Sequence, residues 1–255
     1  YMDELLVMSQ VKHSNIVQFM GACMVPPNLC FVMELCENSL YNILHENKEN
    51  FCDHDIVQMA VDIGSALEYL HSLKPAIIHR DIKPANIMVD TKTWRICLID
   101  FGAATMAKPE DFDGNGNVRA TMKGSTPVYA SPLQRELQVS LRKERDRKKK
   151  RAVLEARPLS QLDDMWAAIV TCLDMFCGGG VWRRNMASAQ AWRKSGRSFS
   201  GLLSSTMRVA LPQDLVAVIE TCLGAADGLV GSAPTAQSVA EAVARICASP
   251  TCAPE

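Results

Sequence analysis

The sequence predicts an α+β fold in which a small strand-containing segment precedes a mostly helical one. Five short runs of β-branched and apolar residues have strand length, and all of them lie in the first hundred residues. Longer stretches carry apolar residues at helical spacing, and three of these follow residue 157. With 255 residues and 48% hydrophobic content, the chain can form one large domain or two lobes.

The N-terminal stretch has the pattern of a helix followed by a hairpin. DELLVMSQV (3–11) places three apolar side chains on one helical face, with no N-cap residue before it. Because the first residue is Tyr1 and the helical pattern starts at once, we expect the sequence to begin inside a domain. The apolar runs at 13–19 and 28–34 are separated by the turn signal MVPPN, which predicts a β-hairpin.

The middle of the chain predicts one helix and three strands. Asp53 begins a helix whose apolar residues recur at helical spacing. Those residues are Ile56, Ala60, Ile63, Leu67 and Leu70. The strands are AIIH (76–79), NIMV (86–89) and RICLI (95–99), and the turn DTK (90–92) joins the last two. This part should therefore pack a helix against a small sheet.

The C-terminal half predicts helices and two polar segments. The helices are 158–176, 211–223 and 235–247. Residues 103–125 are polar and rich in Gly and Asn, which predicts a mobile loop. Residues 134–157 form an insertion around RKERDRKKKR, which has eight basic and two acidic residues although the whole chain has a net charge of −1. This basic run predicts a nuclear address, a docking site for an acidic partner, an RNA contact or a solvated segment, and the lack of interleaved aromatic residues disfavours nucleic acid.

The cysteine pattern and hydropathy bear on location. Ten cysteines are scattered without a CxxC pair, which favours reduced thiols over a disulfide set or a zinc site. No apolar run approaches the ~18 residues of a membrane span. We therefore expect a cytoplasmic protein, with the nucleus as the alternative suggested by the basic run.

The stretch HRDIKPANIMVD (79–90) carries the chemistry. It places Asp81, Lys83 and Asn86 within six residues, and Asp100-Phe101-Gly102 follows a predicted strand. An Asp can accept a proton from a hydroxyl, a Lys can neutralise a phosphoryl group, and Asn and Asp oxygens are ligands that Mg²⁺ prefers. Phosphoryl transfer depends mostly on such positioned charges.

These residues resemble the eukaryotic protein kinase family. HRDIKPAN is similar to the catalytic loop of that family, and DFG is similar to its metal-binding turn. The resemblance implies a kinase-like fold, ATP and Mg²⁺ as cofactors and proteins as substrates. It makes Asp81 the catalytic base, Lys83 the phosphate neutraliser, and Asn86 and Asp100 the metal ligands.

The same resemblance assigns residues around the nucleotide and the lobes. Glu4 would pair with a nucleotide-positioning Lys, and Met88 would pack under adenine. Met33 would be the gatekeeper, followed by the hinge at Glu34, Leu35 and Cys36. The remaining roles are structural: Met8, Phe19, His79 and Phe101 would form the apolar spine between the lobes, and Asp164 would brace the catalytic loop.

Two features indicate the substrate class. Lys83 in HRDxKxxN and Thr126-Pro127 in STPVY resemble Ser/Thr kinases rather than tyrosine kinases. HSNIVQFMGAC (13–23) and the SLYNILH block (39–45) resemble the tyrosine-kinase-like group, which includes the Raf and mixed-lineage branches. The predicted domains are a small-lobe remnant (1–33), a hinge (34–38), a large lobe (39–249) and a tail (250–255).

The chain also departs from the family pattern. No GxGxxG loop and no VAIK strand occur in the 255 residues, so we expect this stretch alone to be inactive and a longer chain to complete the kinase. The alternative function is a pseudokinase-like scaffold that binds partners without catalysis. For regulation, Arg80 beside the catalytic Asp predicts neutralisation by a phosphate, with Thr121 first and Ser125 second; Thr105 is expected to be too close to DFG to reach Arg80.

Overall fold

The computed structural model describes residues 2–47, 52–107, 126, 128–131, 134, 146 and 161–176. Helix α1 (Met2–Gln10) comes first, followed by strands β1 (Phe19–Cys23) and β2 (Cys30–Met33). The two strands pair antiparallel, with Cys23 opposite Cys30 next to the connecting turn. The predicted helix is therefore confirmed, and so is a hairpin around the turn MVPPN. The position of its first strand, predicted at 13–19, is wrong, because only Phe19 of that run lies in β1, and Ile16 instead forms an isolated bridge to Leu98.

The next elements lead from the hairpin into a long helix. Strand β3 (Asn38–Ser39) is followed by α2 (Leu40–Asn42), which continues as a π-helical turn (Ile43–Asn47). Helix α3 (Asp53–Ser72) begins after Cys52, whose backbone N–H donates to the Asp55 carboxylate at 2.8 Å. This bond satisfies one of the polar groups near the helix start, so the helix begins where the sequence predicted.

Short strands follow α3 and form two small sheets. They are β4 (Ala76–Ile78), β5 (Ile87–Asp90), β6 (Arg95–Leu98) and β7 (Thr105–Ala107). The first sheet has the order β3-β5-β6 and is antiparallel, and the second pairs β4 with β7. The three strands predicted in this region are confirmed. The loop between β4 and β5 and the turn after β6 carry the predicted chemical residues.

The core lies between α3, the sheets and the last described helix, α4 (Gln161–Phe176). Ile63, Leu67 and Leu70 of α3 are fully buried, in agreement with their helical spacing. Ala60 is only partly buried, whereas its neighbour Met59 is completely buried. Helix α4 is buried along most of its length, as its apolar sequence predicts.

The prediction of a loop at 103–125 is wrong at its start. The polar segment 103–125 was expected to be a loop from its start, but Thr105–Ala107 forms β7 and pairs with β4. Strand β4 is buried on all three residues, and its backbone N–H and C=O groups need hydrogen-bonding partners there. The start of the segment supplies those partners despite its polar composition.

Several predictions fall outside the described residues. These are the loop beyond residue 107 up to 125, nearly all of the basic insertion 134–157, and the helices at 211–223 and 235–247. The described parts contain no helix that is both long and apolar enough to cross a membrane. The six cysteines in those parts form no disulfide with one another.

Candidate active site

The Asp81 carboxylate is the centre of a hydrogen-bond cluster. It lies in the loop between β4 and β5, and 13% of its side chain is exposed. Its Oδ2 accepts a bond from Lys83 Nζ at 2.6 Å and one from Asn86 Nδ2 at 3.1 Å. Its Oδ1 accepts two bonds from Thr126, from the backbone N–H at 3.2 Å and the hydroxyl at 3.0 Å. Four donors thus hold the carboxylate in one orientation.

Lys83 and Thr126 are also bonded to each other. Lys83 Nζ donates to Thr126 Oγ1 at 2.9 Å, so the ammonium, the hydroxyl and the Asp81 carboxylate form a closed triangle. Two segments 43 residues apart meet at this point. A positive charge, a hydroxyl and a carboxylate are therefore available to one reacting group.

The carboxylate of Asp164 in α4 holds the backbone of the loop between β4 and β5. Asp164 is completely buried and accepts bonds from the backbone N–H groups of His79 at 2.8 Å and Arg80 at 2.6 Å. Its Oδ2 also contacts His71 Nε2 at 2.9 Å. Burial alone would raise the pKa of Asp164, but the bond and charge of His71 and the Arg80 N–H outweigh it, so the pKa is lowered. The carboxylate therefore stays ionised.

A hydrogen bond between Arg80 and Thr105 contradicts the expectation that Thr105 cannot reach Arg80. The Arg80 side chain is buried, and its Nη1 donates to Thr105 Oγ1 at 2.8 Å. Thr105 was expected to lie too close to DFG to reach Arg80, but pairing of β7 with β4 brings it back beside the loop that carries Arg80. Arg80 also adopts a left-handed backbone conformation with φ of 72°. Such strain in a non-glycine residue is typical of functional sites.

His79 is a neutral donor inside the core. Its Nε2 lies 3.1 Å from the carbonyl of Ile99, and its Nδ1 accepts from the Asp81 N–H at 3.4 Å. These bonds require a proton on Nε2 and none on Nδ1. Desolvation lowers the pKa of His79 despite the nearby carboxylates of Asp164 and Asp81, which agrees with the neutral form. The imidazole packs against Phe101, with ring centroids 4.8 Å apart.

Asp100 and Gly102 connect the site to α1. Asp100 has φ of 63° and ψ of 78°, and its Oδ1 accepts the Gly102 N–H at 3.2 Å. A Cβ at Gly102 would lie only 3.1 Å from that oxygen, so the turn is tight against Asp100, and Glu4 Oε2 would lie at an ordinary contact distance of 3.7 Å from the same position. Helix α1 thus places an acidic group next to the DFG turn.

The side-chain oxygen atoms of Asn86 and Asp100 suit a divalent cation. The backbone N–H of Ile99 donates to the carbonyl of Asn86 at 3.0 Å, which fixes the residue before Asp100 beside Asn86. Asn86 uses Nδ2 for its bonds to Asp81, so Oδ1 is the atom that it would offer to a metal. Asp100 is exposed and presents a carboxylate. Oxygen atoms of this type suit Mg²⁺.

The residues predicted as the hinge directly follow β2. The Glu34 N–H donates to the carbonyl of Gln18 at 3.0 Å, and the Glu34 carboxylate accepts the Gln18 N–H at 2.8 Å. The side chains of Met33 and Leu35 are exposed, whereas Cys36 is half-buried. Met88 lies between β3 and β6 in the sheet, opposite Ser39 and Cys97.

The predicted spine residues are all at least partly buried. Met8 and Phe101 belong to the core cluster, Phe19 packs against it, and His79 is fully buried. The predicted phosphorylation sites Thr121 and Ser125 lie outside the described residues.

Sequence reasoning missed three contributors to the site. His71 contacts Asp164, Thr105 contacts Arg80, and the Ser131 hydroxyl donates to the buried carboxylate of Asp163. The doubled acid at 163–164 was a signal for the last contact, since adjacent buried carboxylates both need donors. The other two depend on packing between distant segments.

Comparison with known proteins identifies the family. The family model described as "Protein kinase domain" matches residues 1–226. The chain belongs to this family. Its fold class and the resemblance found in the sequence are thereby confirmed.

Serine/threonine kinases are among its relatives. It is 34% identical over 131 residues to the "Probable serine/threonine-protein kinase drkA" of Dictyostelium discoideum, covering 51% of this chain and 19% of the relative. It is 40% identical over 110 residues to the serine/threonine-protein kinase CTR1 of Arabidopsis thaliana, covering 42% and 13%. With STY17 of the same plant it shares 39% over 105 residues, covering 41% and 18%. The chain thus spans less than a fifth of each relative.

Proposed function

We propose that this chain is the catalytic part of an enzyme that transfers the γ-phosphoryl group of ATP to serine or threonine residues of proteins. The observation that carries the proposal is the bonded triangle of Asp81, Lys83 and Thr126, with Asn86 attached to the same carboxylate. This arrangement combines a proton acceptor and a positive charge at one point, which phosphoryl transfer requires.

Asp81 is proposed as the group that orients the acceptor hydroxyl and accepts its proton. The bonds from Thr126 and Asn86 fix the plane of its carboxylate, and the Asp164 bonds fix the backbone that carries it. Lys83, already bonded to Asp81, would stabilise charge on the transferring phosphoryl group. Fixed charges of this kind lower the barrier because they need no reorganisation during the reaction.

The nucleotide and metal would lie between Asp81 and the hinge. Asn86 and Asp100 are the proposed ligands of Mg²⁺, which would neutralise phosphate charge when bound. Backbone groups at Glu34 and Cys36 would bind adenine, with Met33 and Met88 beside it. The position of Glu4 next to Gly102 supports its role in holding a nucleotide-positioning Lys of the full-length protein.

The domain division is part of the proposal. Residues 1–33 would belong to the small lobe, 34–38 would be the hinge, and 39–249 would form the large lobe with its basic insertion at 134–157. Placement in the tyrosine-kinase-like group is supported by the serine/threonine kinase relatives. Cytoplasmic location, an acidic partner at the insertion and regulation through Thr121 or Ser125 remain predictions. The scaffold alternative has no observation in its favour.

The test is the identity of the phosphorylated product. Full-length protein is incubated with ATP labelled in the γ-phosphate, Mg²⁺ and a protein substrate mixture, and the labelled amino acids are identified after hydrolysis. We expect phosphoserine and phosphothreonine, lost without Mg²⁺ and in Asp100→Asn. Label should be retained in Asp90→Asn, because Asp90 is an exposed residue at the end of β5 whose carboxylate accepts the Lys92 N–H. Label on tyrosine alone, or no label, would contradict the proposal.

A further inference from the structure

A pocket adjoins the Asp81 cluster. We propose that this pocket, called here the Tyr41 pocket, binds an aromatic or large apolar side chain of the substrate, close in sequence to the phosphorylated residue. It encloses about 220 Å³ and is lined by Tyr41, His45, Pro84, Ala85, Val128 and Tyr129, together with Lys83, Thr126 and Asp174. This inference rests on the proposed function and adds a substrate class to it.

The position of the pocket links it to the acceptor. Lys83 and Thr126 form part of its wall, and both are hydrogen-bonded to Asp81. A peptide whose hydroxyl reaches Asp81 therefore passes the mouth of the pocket within a few residues. A side chain that enters the pocket would help to position the acceptor hydroxyl, and such positioning raises the transfer rate.

The walls are mainly aromatic and apolar. The rings of Tyr41 and His45 lie with centroids 4.5 Å apart, and Val128 and Tyr129 also line the pocket. An apolar cavity of about 150 Å³ accepts a benzene ring, so a pocket of about 220 Å³ has room for a phenyl side chain. Aromatic rings also pack favourably edge to face against the rings already present.

The charges on the walls disfavour an arginine or lysine of the substrate. The lining includes one carboxylate, Asp174, which is 1% exposed and accepts the Tyr129 hydroxyl at 3.0 Å. The ammonium of Lys83, also on the wall, is already paired with Asp81 at 2.6 Å. Ala85 is exposed on the lining and adds no charge. Electrostatic selection of basic residues therefore has little support here, and apolar burial is the main attraction.

The experiment uses full-length protein and a set of serine peptides in an alanine background. One residue at a time, within about four positions of the serine, is changed to Phe, Leu, Ala or Arg, and kcat/KM is measured. We expect Phe or Leu at one position to raise kcat/KM about tenfold over Ala, and Arg to give no gain, since apolar groups in such pockets are worth about 10–200-fold.

Variants of the pocket separate recognition from folding. Tyr41→Ala and His45→Ala should reduce the preference for Phe, mainly through KM, whereas Tyr41→Phe should retain it. His54→Ala, an exposed histidine of α3, is the matched control and should have no effect. Ala85→Glu adds a carboxylate to the exposed part of the lining and should create a preference for Arg at the same position.

The peptide rates distinguish failure of the Tyr41 pocket from failure of the proposed function. Phosphorylation of all peptides at equal rates, or a preference for Arg in the unmodified protein, overturns the Tyr41 pocket and leaves the proposed function intact. If no peptide or protein is phosphorylated, the proposed function is overturned, and so is the assignment of the Tyr41 pocket. A Phe preference that survives Tyr41→Ala and His45→Ala also overturns the assignment.

Discussion

Asp164→Asn tests how strongly α4 holds the catalytic loop. The native carboxylate accepts three bonds, from the backbone N–H groups of His79 and Arg80 and from His71 Nε2. An asparagine has one acceptor oxygen and one NH₂ group. If the oxygen faces His79 and His71, the NH₂ group meets the Arg80 N–H, and two donors oppose each other. The reverse orientation loses two bonds instead of one.

The free-energy cost of Asp164→Asn follows from the buried position of Asp164. A buried donor without a partner costs about 1–3 kcal/mol, and a bond to a charged group is worth about 1 kcal/mol more than a neutral one. One lost bond and two weakened bonds therefore sum to about 3–5 kcal/mol. At about 1.4 kcal/mol per factor of ten, the backbone N–H groups of the loop should exchange hydrogen roughly 10²–10⁴-fold faster.

Hydrogen exchange of the segment that contains His79 and Arg80 measures this change, read by mass spectrometry on full-length protein. Glu68→Gln is the matched control, because Glu68 is an exposed carboxylate on α3 and its change to an amide should leave the segment protected. The kcat of Asp164→Asn should also fall, since Asp81 is carried on the same loop. Unchanged protection in Asp164→Asn would refute the reasoning.

Three further predictions concern protonation and buried donors. Because its pKa is lowered, buried His79 should stay neutral, whereas an unfolded histidine gains a proton below about pH 6.5. The contribution of His79 to the free energy of unfolding should therefore fall as the pH drops below that value. An NMR titration should show no transition of the His79 ring near about pH 6.5. Thr105→Val removes the acceptor of Arg80 Nη1 and should lower the free energy of unfolding by about 1–3 kcal/mol in chemical denaturation, and an unchanged midpoint would exclude an energetic role for that bond. Burial raises the pKa of Cys97 to about 11, so iodoacetamide at neutral pH should label exposed Cys52 first, and equal labelling rates would contradict this order.

The Asp81 cluster was predictable because most of it is local. Asp81, Lys83 and Asn86 lie within six residues, and their spacing alone brings a carboxylate, an ammonium and an amide together. Helix α3 was predictable for a similar reason, since its apolar period is strong over 20 residues. Short-range spacing and periodicity are the signals that a single sequence carries well.

The missed contacts are long-range. His71 and Asp164 are 93 residues apart, and their meeting depends on how α3 packs against α4. Thr105 reaches Arg80 because β7 pairs with β4, and the polar composition after residue 102 hid that strand. In the second case strand pairing overrode the local pattern, as is common for short strands.

The measurement that tests the central claim most directly is the rate of γ-phosphoryl transfer by full-length Asp81→Asn at saturating ATP and peptide. Asparagine keeps the size of the side chain but cannot accept the hydroxyl proton, so we predict a loss of at least the ~10²–10⁴-fold typical of a missing general base. Asp90→Asn provides the matched control. A transfer rate in Asp81→Asn equal to that of the unmodified protein would contradict the account.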